Sequence, residues 1–180
     1  MLSKKMTKAI NDQMNREIYS AYLYMSMSSF SSYIGLKGFA NWFMVQYHEE
    51  MYHAMKMYEY IQRQGECAKL QPMDKLPTEW DSPLEMFEKT LEHEQKVTKW
   101  INELMDLAIE EKDHASQIFL QWYVTEQLEE EENDNDIIVK LKLIKSNAQG
   151  LMMLDQELSQ RVANVPLDYS KGLAAAAEGA

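Results

Sequence analysis

Apolar residues recur at three- and four-residue intervals through most of the chain, and the intervals break at only a few places. From about residue 4 to 34, Met6, Ile10, Met14, Ala21, Tyr24 and Ser28 share one stripe, with no proline and no glycine before Gly35, which predicts a first long helix. Gly35-Leu36-Lys37-Gly38 is a short breaker. A second helix, about 39 to 64, carries Phe39, Phe43, Tyr47, Ala54, Met57 and Ile61, stops at Gly65, and should run back antiparallel to the first. From Glu66 to Asp81 the period vanishes while Pro72 and Pro77 punctuate the chain, so this stretch reads as an extended connection. Ser82-Pro83-Leu84-Glu85 then offers an N-cap, a proline at the first helical position and a glutamate at the third. The third helix, 83 to about 111, has Leu84, Phe87, Leu91, Val97, Ile101, Met105 and Ala108 on its stripe. Asp113 is placed to cap a fourth helix, about 114 to 146, whose inner side holds Leu120, Tyr123, Ile138 and Leu141. Asn133-Asp134-Asn135-Asp136 should weaken that helix, as a kink or a solvated turn. A shorter amphipathic segment from Leu151 to about Val162 stops before Pro166, and the tail from 166 to 180 has too little apolar surface to bury.

The lengths choose the topology. Helices of about 28 residues are about 42 Å long, and about 16 extended residues can span about 53 Å. The connection from 66 to 81 can therefore cross a whole bundle, where a simple up-down-up-down arrangement would need only a few residues. The expectation is an all-α, single domain over residues 1–165: two antiparallel hairpins joined by one long crossover in a four-helix bundle, with a short fifth helix.

Charge narrows the partners. A formal net charge of -11 and a pI near 4.8 disfavour nucleic acid and anionic membranes, which reward basic faces, and favour cations. The single cysteine, Cys67, cannot make an internal disulfide, and Met1-Leu2-Ser3-Lys4-Lys5 does not lead into a signal-peptide core. The cytoplasm is the expected location. No run approaches the roughly 20 apolar residues of a membrane span.

Against this background the polar residues inside the stripes stand out. Glu50-x-x-His53 puts a carboxylate and an imidazole one turn apart on the second helix, among its apolar positions. His48 and His53 do not make a zinc-protease pair, because five residues rotate them onto different faces. Glu17 lies between Met14 and Ala21, Glu94 between Leu91 and Val97, and Gln127 and Glu130 follow Tyr123. Glu17, Glu50, Glu94 and Gln127 all fall near the midpoints of their helices, so they should meet at one height. No lysine or arginine occupies these stripes, and clustered buried carboxylates require a compensating cation. A metal supplies one, and oxygen-rich ligation with one histidine suits iron or manganese better than tetrahedral zinc.

These residues, with the run Phe119-Leu120-Gln121-Trp122-Tyr123-Val124-x-Glu126-Gln127-x-Glu129-Glu130, resemble the bacterial non-haem ferritins over nearly all of the first 165 positions. The resemblance implies a ferritin-like four-helix bundle and an intrasubunit di-iron ferroxidase centre. Glu17, Glu50 and His53 would hold one iron, with Glu50 bridging, and Glu94 would hold the other with Glu130 and an outer Gln127. Where bacterioferritins carry a second Glu-x-x-His, this chain has Gln127-x-x-Glu130. Glu49, Glu126 and Glu129, sharing Glu130, match a third iron site; the other reading is a solvated acidic face. Tyr24 is either a core tyrosine or the family's site tyrosine. Met51 matches the haem-binding methionine of bacterioferritins, but non-haem relatives carry it too, so haem is not expected.

The implied function is oxidation of Fe²⁺ to Fe³⁺ by O₂ or H₂O₂, with ferric mineral stored inside a closed shell of twenty-four subunits (a homo-24-mer). A di-iron oxidase or peroxidase without storage, or a haem-containing relative, are the alternatives. The fifth-helix stripe Leu151, Leu154 and Leu158 has no place left in a four-helix core and should pack on a neighbouring subunit. Gln117 and Leu120 stand where animal ferritins have acidic pore residues. Glu111-x-x-His114 straddles a helix joint and reads as a coincidence; His48 and His93 are expected at the surface.

Overall fold

The computed structural model describes residues 2–169 together with Gly172 and Leu173. It contains five helices, α1 (Lys4–Tyr33), α2 (Lys37–Arg63), α3 (Pro83–Glu110), α4 (His114–Ile144) and α5 (Ala148–Leu158), and no strand among the described residues. Contacts divide the chain into two compact units, one built from Ile10–Glu79 and the described residues from Met152 onward, the other from Leu2–Ala9 and Trp80–Leu151. No helix among the described residues is long and apolar enough to cross a membrane.

In the first unit the α1–α2 hairpin is made by Gly35, whose φ of 88° only a residue without Cβ adopts at little cost. The Leu36 amide then donates back to the Ser31 carbonyl at 2.9 Å, closing the end of α1. The register follows from two contacts. Ser28 Oγ donates to the Ala40 carbonyl at 2.7 Å, and the rings of Tyr24 and Phe43 lie 6.2 Å apart. Seven residues, or two turns, beyond Tyr24 toward the start of α1 lies Glu17, and seven beyond Phe43 on α2 lies Glu50. Antiparallel packing therefore sets these glutamates opposite each other.

The connection after α2 is extended, as expected. Asn11 and Asn15 donate to the Lys69 carbonyl at 3.0 and 2.9 Å and accept from the amides of Lys69 and Gln71 at 2.6 and 2.8 Å. Ser26 donates to the Pro77 carbonyl at 2.8 Å. Eight residues of connection thus run beside α1 from Asn11 to Ser26, and about 26 Å of extended chain matches about 22 Å of helix.

The start of α2 carries no side-chain cap of its own, since Leu36 holds the cap position. Asp155 of α5 takes that role: its Oδ1 accepts from the amides of Gly38 and Phe39 at 2.8 and 3.1 Å. A Cβ at Gly38 would overlap the Asp155 backbone carbonyl, so α5 can sit this close only against glycine. This corrects the expected role of the fifth helix. Leu154 and Leu158 are buried by their own chain, Leu151 is half-buried, and Met152 and Met153 are exposed. The helix also starts earlier than expected, because Asn147 Oδ1 accepts from the amides of Gln149 and Gly150 at 3.0 and 3.2 Å and caps it, and it ends earlier, at Leu158. Beyond it, the Asn41 amide donates to the Arg161 carbonyl at 2.8 Å, and the Leu173 amide donates to Glu59 at 2.6 Å. The tail is thus held at Leu173; residues 170, 171 and 174–180 lie outside the described residues.

In the second unit α3 starts on the predicted cap. Ser82 Oγ accepts from the Glu85 amide at 3.1 Å, and the Glu85 carboxylate accepts from the Asp81 amide at 2.6 Å. Asp113 caps α4 by accepting from the Ser116 amide at 3.1 Å. Antiparallel packing of α3 and α4 is fixed by Gln117 donating to the Ala108 carbonyl at 3.1 Å near the joint and Lys142 meeting Glu88 at 2.9 Å at the other end. Leu120 is a fully buried core residue. The expected weakness at Asn133–Asp136 does not occur: α4 is continuous, Asp134 is buried, and the Asn135 amide donates to the Glu131 carbonyl one turn back at 2.7 Å. Low helix propensity costs only tenths of a kcal/mol per residue, less than the packing of an inward face returns.

Candidate metal centre

In the first unit, Glu17, Glu50 and His53 each offer a ligand atom, and the three atoms lie within 4.8 Å of one another. All three residues are buried. The Glu50 and His53 positions come from one turn of α2, with Oε2 to Nδ1 at 3.5 Å, and Glu17 comes from the facing turn of α1. Glu17 is oriented along its own helix: the Gln13 amide donates to its Oε1 at 2.8 Å, and Arg16 donates to the Gln13 oxygen at 3.0 Å. Burial, assisted by the nearby Lys56 charge, lowers the His53 pKa to about 3. The imidazole is therefore neutral at physiological pH, the form that binds metals through a ring nitrogen. Two carboxylates and a neutral imidazole form a hard donor set that fits iron. Tyr24 is fully buried beside Phe43.

In the second unit, Glu94, Gln127 and Glu130 are buried. The Gln127 amide donates to Glu94 Oε2 at 3.1 Å and also reaches the Glu94 carbonyl at 3.3 Å. Gln127 thus orients Glu94 as Gln13 orients Glu17. Glu126 is half-buried and Glu129 exposed.

Glu49 is half-buried and ion-paired, with Arg161 Nη2 at 2.7 Å from its Oε2. The Arg161 guanidinium also covers the Trp42 ring at 4.5 Å. Sequence reading missed both Arg161 and Gln13. Gln13 is visible in principle, being four residues before Glu17 on the same face. Arg161 is not, since 112 residues separate it from Glu49. His48 and His93 are half-buried rather than surface residues, and burial lowers the His93 pKa.

A model of the ferritin-like domain matches residues 7–144, a span containing every one of these glutamates, His53 and Gln127. The chain belongs to the ferritin family. It is 43% identical to a bacterial non-heme ferritin of Bacteroides fragilis over 161 residues, which cover 89% of this chain and 100% of that protein. It is 41% identical to the bacterial non-heme ferritin of Campylobacter jejuni over 171 residues, 95% of this chain and 100% of that one. Among solved structures, an open pore ferritin from the archaeon Archaeoglobus fulgidus superposes with a TM-score of 0.88 at 52% identity, covering 90% of this chain and 100% of that chain. An engineered closed form of the same archaeal ferritin gives 0.89 at 53%, covering 91% and 99%. The fold is accordingly the ferritin-like four-helix bundle, with the long crossover after α2 and a short fifth helix.

Proposed function

We propose that this ferritin oxidises Fe²⁺ to Fe³⁺ at a centre within one subunit and stores the product as ferric mineral. The observation that carries the proposal is the buried Glu17–Glu50–His53 triad, whose donor atoms lie within 4.8 Å of one another. In this reading Glu17, Glu50 and His53 bind the first Fe²⁺, and Glu94, aided by Glu130 and positioned by Gln127, binds a second, with Glu50 shared. Each Fe²⁺ loses one electron; O₂ takes both electrons with two protons and leaves as H₂O₂, which can serve as oxidant for a further pair. The carboxylates stabilise the ferric charge more than the ferrous, which drives the reaction. Tyr24, packed against Phe43, is the tyrosine nearest this chemistry in the family pattern. Glu49, Glu126 and Glu129, with Glu130, form a third iron position.

Storage requires a hollow assembly, and the proposed one is a cytoplasmic homo-24-mer. The test is size-exclusion chromatography of aerobically iron-loaded protein with iron measured on the same peak. Co-elution of many irons per subunit with a large particle is the expected result. Rapid oxidation by a small particle that retains only a few irons per subunit would replace storage with an oxidase role.

A further inference from the structure

We propose that Arg161 is a built-in counter-ion that gates metal binding at Glu49, so that an iron ion bound there weakens a side-chain pair that ties the C-terminal segment to α2. The proposal rests on the reading of Glu49 as a ligand of the third iron position. The pair is more than a surface bridge: the side chains of Arg161 and Glu49 are only 21% and 13% exposed, and Nη2 meets Oε2 at 2.7 Å. The guanidinium is further committed to the Trp42 face at 4.5 Å, an interaction that strengthens as water is excluded. Its backbone has little freedom to drift. Upstream, Asn41 holds the Leu158 and Arg161 carbonyls at 3.2 and 2.8 Å, and Asp155 ties α5 to the start of α2. Downstream, the Leu173 amide is held by Glu59 at 2.6 Å. The described residues Ser159–Tyr169 and Leu173 are therefore a strap held to α2 at both ends, and Arg161 is fastened between them at Glu49.

A carboxylate has lone pairs enough for both a donor and a metal, but the guanidinium and a divalent ion at Glu49 repel each other and divide its charge. Binding at Glu49 thus opposes the Arg161 pair, and the hold of the guanidinium on Glu49 and Trp42 weakens. Metal occupancy and the hold on the strap become linked, each weakening the other. Adjacent Glu50 belongs to the triad and lies outside this competition, so the first oxidation site fills without loosening the strap.

The test uses the full-length assembled protein, with Fe²⁺ added anaerobically and followed by calorimetry, and hydrogen exchange read on a peptide spanning residues 159–169. Arg161→Gln should tighten the weakest class of Fe²⁺ sites about tenfold, and Arg161→Lys, which keeps the charge, should stay within about threefold of the parent. Exchange across 159–169 should rise on Fe²⁺ addition in the parent and be already raised, and insensitive to Fe²⁺, in Arg161→Gln. If Glu49→Gln binds as many Fe²⁺ as the parent, the third iron position fails and the gate with it. If Glu49→Gln loses an ion while Arg161→Gln changes neither affinity nor exchange, the third position stands and the gate alone is overturned.

Discussion

Replacing Asp155 with alanine should open the start of α2, a site 117 residues away in sequence. Two amides, those of Gly38 and Phe39, lose the Asp155 carboxylate as acceptor, and both residues are buried. Loss of a side-chain cap costs about 1–2 kcal/mol, and removing a partly buried negative charge from a helix N-terminus adds up to about 1–2 kcal/mol. Added together, these contributions come to about 2–4 kcal/mol for opening this turn. At about 1.4 kcal/mol per tenfold, amide protection in a peptide covering residues 36–43 should fall about 30- to 700-fold, read by hydrogen exchange under native conditions. Asp155→Asn keeps an acceptor of the same shape and loses only the charge, so its loss should be nearer fivefold, or about 1 kcal/mol. A loss under about threefold in Asp155→Ala would mean that α5 does not cap α2 and that the docking of α5 depends on its leucines alone.

Three further predictions follow from the same structure. Gly38→Ala should detach α5 without touching any charge, because its Cβ would overlap the Asp155 carbonyl; protease sensitivity at α5 should rise, and parent-like resistance would refute the close approach. Leu154→Asp should destabilise the chain itself by at least about 3 kcal/mol, since it buries a charge among apolar neighbours; a parent-like urea midpoint in a variant that has lost only its large particle would return Leu154 to a subunit interface. In metal-free protein, the His53 pKa near 3 against 6.5 in the unfolded chain means that only the unfolded state takes up this proton between those values. That contribution is fully present above pH 6.5 and is lost as the pH falls toward 3, by at most about 4–5 kcal/mol at about 1.4 kcal/mol per pH unit. His53→Gln should show a shallower decline of the urea midpoint between pH 6.5 and 4, and an unchanged slope would place His53 in a solvated setting.

Much of this architecture was legible in the chain because it is local. The Ser82-Pro83-Leu84-Glu85 signature places the start of α3 correctly, and a glycine after α1 with a stripe on either side is enough to bring Glu17 and Glu50 to one height. Only the partner of the Glu85 carboxylate differs from the usual box, being the amide before the cap residue. What escaped the sequence depends on contacts between distant segments. The α5 stripe looks unpartnered because helix counting assigns it no neighbour, while the covering surface is created at the start of α2 by a glycine and two amides that Asp155 caps. Glu49 reads from sequence as an iron ligand or part of a solvated acidic face, and its partner, Arg161, lies beyond the last helix and 112 residues away. At Asn133–Asp136 local propensity misled, because a long helix already fixed at both ends tolerates several weak residues.

The central claim, that the Glu17–Glu50–His53 cluster is where iron is oxidised, is tested most directly by stopped-flow absorbance of Fe²⁺ mixed with aerated protein. Glu50→Ala and His53→Ala should assemble like the parent on size exclusion and yet oxidise Fe²⁺ no faster than buffer alone in the first seconds. Parent-like initial rates in either assembled variant would contradict the account.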